Sequence, residues 1–368
     1  MSSANNKDGA EPWKIASVVS FYMCAALVMV FVNKAVLNSS PELPMLFLFI
    51  QLSLAVILLH GAAFVSHKVE IPRLDAASAK KLTPLILVNV IGLVFNTLCL
   101  RGVDASFFQI ARGLVLPLTI AVSSLHTRTT PSMRVVLAAT MVTIGFFLGV
   151  APSSFPSFDV EAEPTPSRTN TSGLSIFYGV LSSVFIAVHS VLIKMSLPHA
   201  NNSTIQLAYW QNLGSALFLA PVLLLQGEIG KLSELASLPS WNGSVFVWGS
   251  LVTGVFGFLL CVAGLLSVKV TSPITHMFSS AARSVIQTLL GAWLFNDLLT
   301  TNRAASILVI TLGTVYYTWV KAVETAPRPQ LRDKDLEAHS SLMKGDDDTL
   351  EEAAMEMQNH PEKKMARG

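Results

Sequence analysis

The chain has 368 residues, of which 52% are apolar and only 13% charged, and its formal net charge is +2. A soluble domain carries about 25% charged residues, so this composition excludes a soluble globular enzyme; a nucleic-acid binder would need a far more basic face. Charge is also segregated: the first 14 residues hold four charged side chains and the last 48 hold 19, against 25 between residues 15 and 320. The pattern predicts an all-α integral membrane domain between two short solvated tails.

The N-tail, residues 1–14, is polar. The first apolar run, 15–37, is longer than a signal-peptide core and predicts a retained transmembrane helix. A bilayer core of roughly 30 Å needs about 20 helical residues, and open sheet edges cannot exist in lipid. Ten runs meet or approach that length: 15–37, 44–65, 83–100, 105–126, 132–151, 173–196, 204–226, 244–268, 272–295 and 303–321. Breakers mark the joints, among them Pro41, Pro72, Pro131 and Pro273. The longest joint, 152–172, is rich in Pro and acidic residues and predicts an exposed linker. It divides a first five-helix repeat, 15–151, from a second, 173–321. Residues 322–368 lack the apolar content to fold alone and predict a disordered C-tail.

Lys and Arg set the orientation. With the N-terminus in the cytosol, the cytosolic joints carry Lys68, Arg73, Lys80, Lys81, Arg128, Arg134, Lys194 and Lys269. The opposite side carries Lys34, Arg101, Arg168, Lys231 and Arg303. Ten spans put both tails in the cytosol and the sequons at Asn38, Asn170 and Asn242 in the lumen. Three cysteines inside apolar runs make no disulfide framework, and no dense ligand spacing suggests a metal or another cofactor.

The two halves read alike. Arg101 and Lys269 both mark a joint between spans. Arg112 lies in the fourth span and Arg283 in the ninth. Gly145 corresponds to Gly313, and Asn33-Lys34 to Ile193-Lys194. Five spans is an odd number, so the second repeat is expected inverted relative to the first, with substrate at the midplane between them.

Ionisable groups inside a span cost at least about 2.5 kcal/mol. Here they are cations: Arg112, Arg283 and, near a helix end, Lys34. The carboxylates Glu42, Asp104, Glu228 and Asp297 all sit at helix ends. Buried cations of one sign predict an anionic cargo, a phosphate or diphosphate. The bland alternative is that they cap helix carbonyls or snorkel. The lack of mid-span acids also favours exchange of one anion for another over proton or sodium coupling.

Around Arg283, the residues His276, Ser279, Ser280 and Gln287 share one helical face, the pattern of a cavity wall or of a polar seam between helices. In the seventh span Tyr209, Gln211 and Asn212 join amides to aromatics, a set suited to a nucleobase or to gluing helices. Asn96 in the third span completes the candidate contacts. Gly145 and Gly149 form a GxxxG pair that permits close packing, helix bending or a homodimer contact.

Three stretches carry a resemblance: Lys269-Val-Thr-Ser-Pro-Ile-Thr-His-Met-Phe-Ser-Ser-Ala-Ala-Arg-Ser284, Asn302–Lys321 with Tyr316-Tyr-Thr-Trp319, and Ser203–Glu228. Over residues 15–322 the chain resembles the nucleotide-sugar/triose-phosphate translocator branch of the drug/metabolite transporter superfamily, most of all its Golgi GDP-fucose members. The resemblance implies ten helices in two inverted halves, and exchange of a nucleotide sugar for a nucleoside monophosphate. It places a base-reading Phe-Tyr-Asn-Asn motif where this chain has Tyr209-Trp210-Gln211-Asn212, of which the last Asn is kept. It places a phosphate-contacting Lys where this chain has Arg283.

The expectation is therefore a multi-pass Golgi or ER antiporter, not an enzyme. Lys34, Arg112 and Arg283 would bind phosphate, Tyr209 to Asn212 the base, and His276 with Ser280 the sugar. Two alternatives stand beside it: a sugar-phosphate/phosphate exchanger of triose-phosphate type, and a membrane scaffold or trafficking regulator that transports nothing.

Overall fold

The computed structural model describes residues 12–66, 69–151, 173–270, 273–295 and 300–325, with the side chains of 12–16, 18, 19, 106, 261–270, 273–281 and 325 left undescribed. The expected linker 152–172, most of the C-tail, and the side chains of His276 and Ser280 thus lie outside the described residues. The chain divides into two compact units, Met1–Lys321 and Ala322–Gly368, and the first holds the helical bundle.

The helices are α1 (Pro12–Ser39), α2 (Pro44–Val65), α3 (Ala76–Gly102), α4 (Ala105–Ala111), α5 (Val115–Thr127), α6 (Met133–Val150), α7 (Gly173–Ser196), α8 (Thr204–Leu225), α9 (Glu228–Ala236), α10 (Gly243–Val270), α11 (Pro273–Phe295) and α12 (Thr301–Thr325). Helix starts follow local chemistry. Pro44 opens α2, where a missing N–H costs nothing. Asp75 caps α3 by accepting the Ser78 N–H at 2.9 Å, and that hydrogen bond holds its carboxyl below the usual range. Ser132 and Ser203 cap α6 and α8 in the same way.

Nine stretches of the described residues are long and apolar enough to cross a bilayer. They match nine of the ten expected runs. The remaining run, 272–295, is α11, whose first nine side chains are outside the described residues.

Two features were not anticipated. The fourth run is not one helix: α4 ends at Ala111 and α5 begins at Val115. Pro117 explains the break. It offers no N–H to Gly113, four residues earlier, and its ring crowds that carbonyl. The turn is closed instead by Gly113 N–H to the Ile110 carbonyl, 2.8 Å, and Val115 N–H to that of Arg112, 3.1 Å. The second is α9, a short helix that follows Gly227, whose φ of 64° is left-handed.

The packing is reciprocal. α3 lies along α7, and α10 lies along α1; α2 touches α10, and α8 touches α3; α5 touches α7, and α11 touches α1. Matching α1 with α7, α2 with α8, α3 with α10 and α4–α5 with α11 turns each pair into the other. α2 with α8 and α4 with α11 map onto themselves. The main apolar core runs through Leu37, Phe47, Leu52, Leu100, Phe108 and Leu219, and a smaller cluster gathers Leu82, Ile86, Leu207 and Trp210.

Candidate functional site

The break in the fourth span sets the site. It leaves Arg112 at the C-terminal cap of α4, where the helix is interrupted inside the bundle. The guanidinium lies 5.4 Å from the Phe108 ring centroid. Its Nε is buried without a hydrogen-bond partner, and Arg112 forms no ion pair among the described residues. The strongest charge acting on it is Arg283, of like sign, brought close by the packing of α11 on α4. Two arginines from distant parts of the chain thus act on one another through the packing of α11 on α4.

Arg112 borders two cavities. One, about 360 Å³, is lined by Gln109, Thr119, Ser284, Thr311, Thr314 and Tyr317 among others, between α4, α5, α11 and α12. The other, about 200 Å³, lies between α3 and α7 and is lined by Asn89, Asn96, Phe185 and His189 with apolar neighbours. Polar atoms around both are unsatisfied. Asn96 Oδ1, Gln287 Nε2 and Thr311 Oγ1 are buried with no hydrogen-bond partner. Gln287, fully buried, accepts from Gln109 Nε2 at 2.5 Å, which joins α4 to α11. The idle hydroxyl of Thr311, which lines the same cavity as Arg112, suits an anion with many acceptor oxygens.

The other expected residues are distributed differently. Lys34 is buried, but its ammonium donates to the carbonyls of Leu100 (3.0 Å), Arg101 (3.4 Å) and Val103 (2.6 Å). It closes the C-terminus of α3, where helix carbonyls lack partners. These contacts fit the helix-capping alternative to a phosphate role. Arg101 likewise donates to the Pro41 carbonyl at 3.0 Å.

The cluster Tyr209, Gln211 and Asn212 is split, as 100° per residue requires. Tyr209 turns toward α2, edge-on to the His60 ring at 5.3 Å. Gln211 turns toward α7, its Nε2 lying 3.1 Å from His189 Nε2. Asn212 donates to the Ala208 carbonyl of its own helix at 2.8 Å. The three side chains thus meet different neighbours, on α2, on α7 and within α8 itself. His276 and Ser280 lie outside the described side chains. Among the described residues no group of three or more metal-type ligands lies together.

Residues not singled out beforehand add to the site and its supports. Glu228 is buried and accepts from the N–H groups of Met45 (3.2 Å) and Leu46 (2.7 Å), so α9 caps α2 from 182 residues away. Burial pushes its carboxyl above the usual range, against the pull of those two donors. Asp104 pairs with Arg303 at 2.9 Å, linking the starts of α4 and α12. Gln51 on α2 donates to Asn33 on α1 and Thr253 on α10, at 2.7 and 2.6 Å. His189 was the one with a legible signal, a histidine deep in an otherwise apolar run.

The sequence matches the model of the Triose-phosphate Transporter family over residues 13–318. It is 27% identical to GDP-fucose transporter 1 of Dictyostelium discoideum over 317 residues, 84% of this chain and 81% of that one. It is 28% identical to the Golgi GDP-fucose transporter of Drosophila melanogaster, over 87% of this chain and 93% of that one. It is 26% identical to UDP-galactose/UDP-glucose transporter 7 of Arabidopsis thaliana, over 89% and 97%.

Proposed function

The chain belongs to the triose-phosphate transporter family, and from that premise we propose that it exchanges a nucleotide sugar for a nucleoside monophosphate across the Golgi membrane by alternating access. The observation that carries this reading is Arg112: a half-buried arginine with no carboxylate partner among the described residues, a buried and idle Nε, and a second arginine of like charge on the helix packed against it. Removing a guanidinium from water without compensation is costly. A phosphate or diphosphate arriving with the cargo supplies the missing charge and separates two groups that otherwise repel. The names of the relatives support a nucleotide sugar as that cargo, and GDP-fucose is the favoured one. The Arabidopsis relative is named for UDP sugars, so the base needs its own test.

The packing supports a mechanism. Ten spans arranged as two inverted five-helix repeats account for the reciprocal helix pairs. Gln51 supports the same plan: it reaches from α2 to Asn33 on α1, as Gln211 reaches from α8 to His189 on α7. Arg112 from the first repeat and Arg283 from the second hold the phosphates between the halves. Rocking of one half against the other opens the site to cytosol and lumen in turn. Both tails face the cytosol. Return of the nucleoside monophosphate restores the anion balance, and no step makes or breaks a bond in the cargo.

A second reading, exchange of a triose-type sugar phosphate for phosphate, is favoured by one observation: Tyr209, Gln211 and Asn212 each have a partner within the protein. Proteoliposomes holding the full chain, preloaded with GMP, UMP, CMP, AMP or inorganic phosphate and offered labelled nucleotide sugars and triose phosphate, separate the two. Uptake of a nucleotide sugar driven by one nucleoside monophosphate is expected, and Arg112→Ala or Arg283→Ala should abolish it. Near-normal exchange in those variants refutes the phosphate role.

A further inference from the structure

The smaller cavity beside Arg112 has the make-up of a nucleobase pocket. Its volume, about 200 Å³, holds one flat ring system rather than a whole nucleotide sugar. One wall is Phe185, whose ring stacks on Phe95 with centroids 5.9 Å apart and planes 27° from parallel. Gly92 on α3 gives that wall room, for a Cβ there would sit 3.1 Å from Phe185 Cβ. Val88, Leu93 and Ile186 supply apolar surface. Aromatic and aliphatic walls suit the faces of a heterocycle. A sugar ring, with hydroxyls on every side, would leave several unpaired against them.

The polar groups are few and specific. Asn96 Oδ1 is a buried acceptor with nothing to accept. Asn89 donates its Nδ2 to Ser215 Oγ on α8 at 3.0 Å, which fixes that amide. His189 lines the cavity, and the Gln211 amide nitrogen lies 3.1 Å from its Nε2. An amide nitrogen only donates, so this ring nitrogen accepts. The imidazole is then the neutral tautomer with its proton on Nδ1. The cavity therefore brings the idle Asn96 acceptor and the His189 imidazole together, groups that can meet a base edge, and Arg112 lines it as well, in place for the adjoining phosphate.

The geometry points to His189 and Asn96 as the residues that read the base of the cargo, with Gln211 as a positioning residue that sets the imidazole tautomer. Base recognition is thereby moved from α8 to the face between α3 and α7, and Gln211 contributes through His189 rather than by touching the ligand. This assignment rests on the nucleotide-sugar reading above.

The test is binding of GMP, UMP, CMP, AMP and inorganic pyrophosphate to the purified full chain, by competition and by thermal shift. The wild-type protein should prefer one nucleoside monophosphate over the others by about tenfold or more. His189→Leu and Asn96→Leu should shrink that preference to about threefold or less while changing pyrophosphate affinity by less than about twofold. Gln211→Leu should fall between. His189→Gln, of similar size and still a donor, guards against misfolding and should keep part of the preference. Variants that retain the full wild-type preference overturn the assignment, as does an equal loss for pyrophosphate, which would mark general damage to the arginine site. A wild-type protein that binds pyrophosphate with no preference among the bases sinks the nucleotide reading itself, a separate result.

Discussion

Gly145 and Gly313 each admit the other's helix. A Cβ on Gly145 would lie 2.8 Å from Ile310 Cγ1 on α12, and one on Gly313 would lie 2.7 Å from Val142 Cγ2 on α6. Val142 stands three residues before Gly145, and Ile310 three before Gly313. Each glycine thus receives the branched side chain that precedes its counterpart, the reciprocity of a two-fold contact. Ser306 tightens the seam by donating to the Gly145 carbonyl at 2.6 Å.

Because backbone as well as side chain closes these gaps, with Ile310 N 3.0 Å from a Cβ placed on Gly145, even alanine overfills them. Gly145→Ala and Gly313→Ala should each cost about 1–3 kcal/mol. Adding Ile310→Ala or Val142→Ala respectively should recover part of it. Melting temperatures in detergent, compared around the two double-mutant cycles, measure the coupling.

Lys34, buried, and Arg112, half-buried, are both cations within the bundle, but they should fail differently. Lys34→Met leaves three carbonyls at the end of α3 without a donor, at a cost of about 3 kcal/mol. The protein that does fold should bind phosphate compounds as before. Arg112→Leu should keep the melting temperature, because the wild-type Nε has no partner to lose, yet abolish exchange. Comparing Tm with exchange KM for the two variants checks the distinction.

Glu228 should make stability depend on pH with the opposite sign to an ordinary helix cap. Burial raises its carboxyl pKa in the fold, outweighing the Leu46 and Met45 N–H donors and the charges of Lys231 and Arg101. A raised folded-state pKa means the folded chain binds the proton more tightly than the unfolded chain. Stability from this group is present below the ordinary carboxylate range and is lost as pH rises through the raised value. Relative to Glu228→Gln, the wild-type protein should therefore gain stability as pH falls from neutral toward the raised value. Paired thermal melts across that range report it. Glu228→Ala, which strips both N–H groups of α2 of their acceptor, should destabilise at every pH.

Asp104 and Arg303 should couple measurably. Their side chains are 27% and 11% exposed, and the Arg303 guanidinium also lies 4.8 Å from the Phe107 ring centroid. Partial burial lifts the pair to about 1 kcal/mol, above most surface pairs. Asp104→Asn and Arg303→Gln should therefore be less than additive when combined, and the reversed pair Asp104→Arg with Arg303→Asp should restore part of the stability.

Much of the fold was legible because lipid reduces the choices. With no water for the backbone, a long apolar run has to be a helix, and nine of the expected runs satisfy that test directly. The break at Arg112 was legible in principle from Gly113 and Pro117, but hydropathy averages over it. Tyr209, Gln211 and Asn212 read as one cluster because they are close in sequence, whereas helical rotation sends Tyr209 to His60 and Gln211 to His189. Lys34 reads as near a helix end and Arg112 as mid-span, but charge alone gave both the same phosphate role, and sequence does not show which carbonyls lie within reach of either.

Composition and spacing alone determined an α-helical membrane protein with its interior charge confined to a few cations, because hydrophobic runs and the cost of burying charge are local properties of a chain. Only the tertiary structure decided which cation closes helix carbonyls and which stands beside a cavity with a nitrogen still unbonded. That decision depends on where the ends of α3 and α4 fall in space, and no run of neighbouring residues encodes the distance between them.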